Sequence, residues 1–260
     1  MIRDVASLWI GARLGEIELA SIRSFQRLGH SFTLYSYNPI ENVPRGTIQK
    51  DAREVFDAGR IIRHKRTGSP ALHSDLFRYR LLEKTDYIWV DLDIIALRTF
   101  DFTSDFVFGF QDDTLVDGAV LCLPSGSAVL KQLLRYDADT RSVPPNLGGS
   151  KKVRYQIRNF MAGGLPIDRW PWGSLGPTLL TSILQETGEI EHAMPVSAFY
   201  SVSPDKVAVF AEPKGWDASQ APPSAYAVHL WGKFLRDYVS KNHSNVFPKD
   251  SFVARMAHEA

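Results

Sequence analysis

Tyr87-Ile88-Trp89-Val90-Asp91-Leu92-Asp93 joins an apolar run to two carboxylates. Short apolar runs of this kind read as strands buried in a parallel sheet, and ligand sites collect at the carboxyl ends of such strands. If the chain stays extended through Leu92, Asp91 and Asp93 share one face, because strand side chains alternate with period two. Two adjacent anions are unfavourable without positive charge nearby. A divalent cation carrying a diphosphate is a candidate for that charge. Short D-x-D strings also occur as solvated strand ends and helix caps, so the surrounding residues have to decide.

Upstream, Ser69-Pro70 predicts a helix entry, with serine as the N-cap and proline at the first helical position. The helix should run to about Lys84 and feed directly into the strand that ends at Asp91. Asp75 and Arg78 are three apart on it and share a face. An isolated surface pair of this kind contributes little. Here, however, the helix-to-strand order gathers Asp75, Arg78, Asp91 and Asp93 into one neighbourhood. The planar fork of Arg78 suits a phosphate or a sugar hydroxyl, and Asp75 can accept hydrogen bonds from sugar hydroxyls.

Residues 5–10 read as a buried strand ending at Gly11. Residues 16–28 carry a helical stripe of Leu19, Ile22, Phe25 and Leu28, with Arg23 and Arg27 in the last turns and Gly29 as the cap. Residues 31–37 are aromatic and β-branched and predict a second strand. This β-α-β order predicts a doubly wound, parallel start. Further strands are expected over 106–110 and 119–123, then a helix capped by Ser125 and running to about Tyr136. Loops are expected over 141–150 and 161–176, a helix over 177–187 closed by Gly188, and late strands over 207–210 and 226–230. The expected organisation is a single α/β domain over residues 1–260 with long functional loops.

Composition narrows the function classes. The 260 residues allow one large α/β domain or two small ones, and 44% hydrophobic with 23% charged residues argues against general disorder. A net charge of +1 gives no reason to expect nucleic acid as a partner. The single cysteine, Cys122, excludes an intramolecular disulfide and sits in an apolar run that reads as core. The residues Met1 to Asp4 lack the apolar stretch of a secretory signal, and no window approaches membrane-spanning length. The expected location is the cytoplasm, with peripheral contact at the inner face of the cytoplasmic membrane left open. Two basic clusters, 60–66 and Lys151-Lys152-Val153-Arg154-Tyr155 with Arg158, read either as solvated surface or as contacts for anionic lipid headgroups. Trp170 and Trp172 read either as core or as an aromatic wall for a sugar ring.

Ser74-Asp75-Leu76-Phe77-Arg78-Tyr79, followed by the strand ending in Asp91-Leu92-Asp93, resembles the DXD-containing glycosyltransferases of the GT-A fold. That group includes bacterial capsular and lipopolysaccharide sugar transferases, α-1,4-galactosyltransferases, the yeast initiating mannosyltransferase and the clostridial toxin glucosyltransferase domains. Leu8-Trp9-Ile10-Gly11, residues 17–25 with Gly29-His30, Gly176-Pro177-Thr178 and the late His229-Leu230-Trp231 resemble the same family, in the same order. The resemblance implies a Rossmann-like, mostly parallel mixed sheet flanked by helices. It implies a metal-dependent, retaining transfer of a hexose from a nucleotide sugar, UDP-galactose or UDP-glucose and alternatively GDP-mannose, to a glycan or lipid-linked acceptor. Carried over to this chain, Trp9 stacks on the base while Ile10 and Gly11 contact it through the backbone. Asp75 and Arg78 hold the donor sugar, and Arg78 reaches a phosphate. Asp91 contacts ribose, sugar and metal; Asp93 is the direct ligand of Mn²⁺ or Mg²⁺, and His229 the third. Asp117 is a further sugar contact, Gly176 and Pro177 shape a loop over the sugar, and Lys233 neutralises the leaving diphosphate. Asp91, Asp93 and Arg78 are the expected catalytic residues.

Two other readings compete. Phosphohydrolases of the haloacid dehalogenase type also end an apolar strand in D-x-D, with the first aspartate, here Asp91, as nucleophile. Such a motif usually stands near the N-terminus, whereas here some ninety residues precede it. A non-catalytic protein that binds nucleotide sugars or glycans would carry the same residues.

Overall fold

The computed structural model describes residues 2–145 and 147–258. Asn146, inside the loop expected over 141–150, lies outside the described residues. The expected β-α-β start is present as β1 (Val5–Trp9), α1 (Glu16–Arg27) and β2 (Phe32–Ser36). β1 and β2 are buried over almost their whole length, as a strand covered on both faces must be. A parallel edge strand, β3 (Ile48–Asp51), follows. It has no counterpart in the sequence reading, because its side chains are mostly exposed and it lacks an apolar run.

α2 (Ala71–Lys84) leads into β4 (Ile88–Val90). Pro70, not Ser69, occupies the N-cap position, so the helix begins one residue later than expected, and the Ser69 hydroxyl accepts the Ala71 N–H at 3.2 Å. β5 (Ile94–Ala96), β6 (Val107–Phe110) and β7 (Val116–Cys122) complete the strands of the first half. β7 starts three residues earlier than expected. α3 (Ala128–Leu133) is capped by Ser127, not Ser125: the Ser127 Oγ lies 3.1 Å from the Leu130 N–H, the three-residue reach that N-capping requires.

α4 (Gly149–Met161) occupies a stretch that reads in the sequence only as a basic cluster. α5 (Pro177–Thr187) ends at Gly188 in the left-handed conformation, as expected. The strand expected over 207–210 is instead the short helix α6 (Ala208–Ala211). Four apolar residues are too few for periodicity to separate the two forms. β8 (Ala227–His229), α7 (Gly232–Asn242) and α8 (Phe252–His258) close the chain.

The main sheet has the strand order β3-β2-β1-β4-β7-β6. The first four strands are parallel, β7 runs antiparallel to β4, and β6, antiparallel to β7, returns to the common direction. The chain is therefore α/β, with a six-stranded, mostly parallel mixed sheet flanked by helices and compatible with a Rossmann-like fold. Consecutive strands run to one side of β1 while β4 lies on the other, so the crevice at the carboxyl ends of β1 and β4 is a topological switch point. β5 and β8 form a separate antiparallel pair with Ile94 opposite His229. Cys122 is buried, as expected. Among the described residues no helix is long and apolar enough to cross a membrane.

Candidate functional site

The carboxyl end of β4 gathers buried Arg78 and His229 with half-buried Asp75, Asp91 and Asp93. Arg78 Nη2 donates to Asp91 Oδ1 at 3.0 Å and lies 3.5 Å from Asp75 Oδ1. The guanidinium also sits 5.0 Å from the Trp89 ring, and Trp89 Nε1 donates to the same Asp91 oxygen at 2.7 Å. Gly118 makes room for this arrangement. A Cβ there would stand 2.5 Å from Arg78 Nη1, so any side chain would displace the arginine. Burial opposes the charge of Arg78, but Asp91 and Asp75 outweigh it and raise its pKa. Burial pushes the Asp75 carboxyl up to about 7, against the pull of Arg78. Asp91 is likewise raised by burial, with Arg78 opposing.

Asp93 reaches the site differently from the sequence expectation. The chain does not stay extended: β4 ends at Val90 and the Ile94 N–H bonds back to the Asp91 carbonyl at 3.1 Å, closing a turn. Both carboxylates still line one cavity, by the turn and not by strand alternation. Asp93 Oδ2 accepts the Gly232 N–H at 2.7 Å, at the start of α7, where the helix dipole favours an anion. Its Oδ1 lies 3.2 Å from His229 Nε2. Burial opposes ionisation of Asp93, yet His229 and the Gly232 N–H outweigh it and hold the carboxyl at about 2. Burial lowers His229 in turn, and Asp93 more than reverses this, so the imidazole is raised. Gly232 permits the close approach, since a Cβ would stand 2.9 Å from Asp93 Oδ2. The two adjacent anions are thus offset inside the chain, Asp91 by Arg78 and Asp93 by His229 and a helix end.

The remaining expected residues converge on two adjoining cavities that share Arg78, Asp91 and Asp93. One is lined by Trp9 and Ile10 at the end of β1, with Glu18, Trp89 and Arg236. Gly11 lies against the Trp9 indole, whose Nε1 is buried without a hydrogen-bond partner among the described residues. The other cavity is lined by Asp75, Asp117, Gly176, Pro177, His229 and Lys233. Asp117 arrives there because β7 runs antiparallel to β4, which sets its beginning beside the end of β4. Lys233 sits at the rim with its Nζ 3.4 Å from Asp237 Oδ2. Both tryptophans line this cavity, but Trp170 is buried and donates from Nε1 to the Ser142 carbonyl, whereas Trp172 is 48% exposed.

Arg236 was not legible in the sequence. It pairs with the buried Glu18, whose other oxygen accepts the Gly15 N–H at 2.8 Å, and it adds positive charge beside Asp93. It stands four residues after Gly232 on α7, a helix the sequence reading does not contain, so only that spacing could have signalled it.

Among the described residues no three His, Cys, Asp or Glu side chains converge closely enough to hold a metal ion by themselves. The Asp93–His229 pair nonetheless suits part of a coordination sphere. Two ligands at about 2.1 Å on adjacent octahedral positions stand about 3 Å apart, close to the 3.2 Å between Oδ1 and Nε2. The site can accommodate a polyhydroxy ligand along its carboxylates and an anionic group between Arg78, Arg236 and the start of α7. No protein-family model matches the chain, and no curated protein matches it.

Proposed function

We propose that this chain is a metal-dependent, retaining glycosyltransferase of the GT-A type that moves a hexose from a nucleotide sugar to a glycan or lipid-linked acceptor. One observation carries the reading: Asp75, Arg78, Asp91, Asp93 and His229 line connected cavities at the switch point that also holds Trp9. Breaking the anomeric C–O bond leaves a cationic sugar and an anionic nucleotide diphosphate, so catalysis depends on charge placed in advance.

In this reading Trp9, with the backbone at Ile10 and Gly11, holds the base at the end of β1. Asp75, Asp117 and Asp91 accept hydrogen bonds from sugar and ribose hydroxyls, and the loop at Gly176 and Pro177 closes over the sugar. Arg78, already raised and fixed by two carboxylates, meets diphosphate oxygen; Lys233 at the rim adds positive charge as the nucleotide leaves. Asp93 and His229, with Asp91 beside them, would hold Mn²⁺ or Mg²⁺. The ion's chemistry there is to stabilise the negative charge of the leaving group. Acceptor attack on the face the nucleotide leaves needs no separate base. For a phosphohydrolase, Asp91 would have to act as nucleophile, yet its Oδ1 accepts from both Arg78 and Trp89, which lowers its reactivity.

UDP-galactose, UDP-glucose and GDP-mannose should be tested for binding and hydrolysis with Mn²⁺ and with EDTA. The expected result is metal-dependent release of nucleotide diphosphate that Asp93→Ala abolishes. Binding indifferent to both EDTA and that substitution would remove Asp93 from its role. Phosphate release from monoesters would favour the phosphohydrolase. Tight binding without turnover on any acceptor would favour a binding protein.

A further inference from the structure

α4 turns its apolar side outward. Val153, Ile157, Phe160 and Met161 recur at helical spacing, and all four are exposed, Phe160 at 88% and Met161 at 80%. Tyr155, on the opposite side of the helix, is buried and sits 5.7 and 5.0 Å from the guanidinium groups of Arg154 and Arg158. The helix carries Lys151, Lys152, Arg154 and Arg158 and no acidic residue. Beside it, Lys151, Arg154 and Arg158 meet Lys65, Arg66 and Arg169 around a third cavity, where Asp168 is the one acidic lining residue among the described residues. Lys65 and Arg66 of one basic cluster thus meet Lys151, Arg154 and Arg158 of the other on the Tyr155 side of α4, next to the apolar stripe.

An exposed apolar stripe of this kind marks a surface that something covers. A second copy of the chain in a two-fold arrangement would set this basic face against itself, and like charge opposes that. An anionic bilayer satisfies both features at once. The acyl boundary takes the apolar stripe, and the headgroups take the flanking lysines and arginines. We infer that α4 is an interfacial helix that docks the protein on an anionic membrane surface, with the lysines and arginines beside the stripe reaching the headgroup layer and the basic cavity opening behind them. That cavity shares Trp170, Pro171 and Trp172 with the one above Asp91. A membrane-borne, phosphorylated acceptor would thus meet the sugar site from this side. This last step rests on the transferase reading; the docking does not.

The test is flotation of the chain, without nucleotide, on phosphatidylcholine vesicles and on vesicles that also contain phosphatidylglycerol. Binding should favour the anionic vesicles by more than about tenfold and weaken with salt. Ile157→Glu with Phe160→Glu should lose more than about tenfold of that binding. Lys152→Gln with Arg154→Gln should lose about fivefold for each charge on anionic vesicles only. Circular dichroism and thermal unfolding report whether each variant keeps its fold. No flotation on anionic vesicles, or flotation that both variants leave unchanged, would overturn the inference. So would a wild-type dimer that Ile157→Glu with Phe160→Glu converts to monomer, since the face would then belong to a second copy. Donor hydrolysis in vesicle-free solution reports separately on the transferase reading.

Discussion

At the carboxyl end of β4, buried Arg78 and His229 and half-buried Asp75, Asp91 and Asp93 gather charge that a globular body ordinarily leaves in water. Along α4, Val153, Ile157, Phe160 and Met161 leave in water the apolar surface that such a body ordinarily buries. The first region is closed by mutual pairing: each carboxylate has a partner in the chain, at the expense of desolvation. The second is open, with all four side chains exposed among the described residues. The difference separates two kinds of function. Buried, paired charge prepares a pocket for a small ligand that enters, whereas outward apolar surface awaits an extended surface that the protein approaches.

The comparison breaks most directly at Arg78. Arg78→Ala leaves half-buried Asp75 and Asp91 without their cation, and urea unfolding should report a loss of about 2–3 kcal/mol. A loss within about 0.5 kcal/mol would mean that these charges are not paired by burial at all. Asp93→Asn keeps an acceptor for the Gly232 N–H but removes the charge. On the proposed function it should lower metal-dependent turnover of a nucleotide sugar by about 10²–10³-fold. EDTA on the wild type should have a similar effect.

A third buried polar group sharpens the contrast. His73 accepts the Ile62 N–H at Nδ1, so Nε2 carries the proton and donates to the Tyr37 oxygen at 2.7 Å, while the Tyr37 O–H donates to the Phe56 carbonyl at 2.6 Å. Burial lowers its pKa to about 4 from the ordinary 6.5, with Arg63 adding to the effect. Below pH 6.5 the unfolded chain binds a proton that the folded chain refuses, so stability falls as pH drops from about 6.5 to about 4. The loss should reach about 3 kcal/mol, read from unfolding midpoints across that window. His73→Gln should flatten this slope without touching donor binding. The smallest effect belongs to α4: Phe160→Glu should change unfolding stability by less than about 0.5 kcal/mol. A large loss there would show that the apolar stripe packs against the body after all.

Much of the charged site was legible because its signals are local. Asp75 and Arg78 share a helix face by spacing, and Asp91 ends an apolar strand. The reason offered for Asp93 was wrong, since a turn and not strand alternation brings it beside Asp91. Arg236, Gly118 and the cap at Ser127 were missed. Their roles exist only against Glu18, against Arg78, and against the particular N–H that Ser127 reaches. α4 escaped notice because its basic residues interrupt the apolar stripe and its apolar side does not face the core.

The sequence by itself determined the elements whose information lies within a few residues: the β1-α1-β2 start, α2 feeding β4, the Gly188 stop, and two carboxylates at a strand end. Side-chain periodicity and caps are short-range physics, readable from neighbours. Tertiary structure alone decided that β8 pairs with β5, setting His229 against Asp93, and that the Gly232 N–H meets a carboxylate 139 residues away. It also decided that Lys65 and Arg66 meet Lys151, Arg154 and Arg158 beside the exposed apolar stripe of α4. Such contacts depend on which loops close and which surfaces are desolvated together, and no window of sequence contains that information.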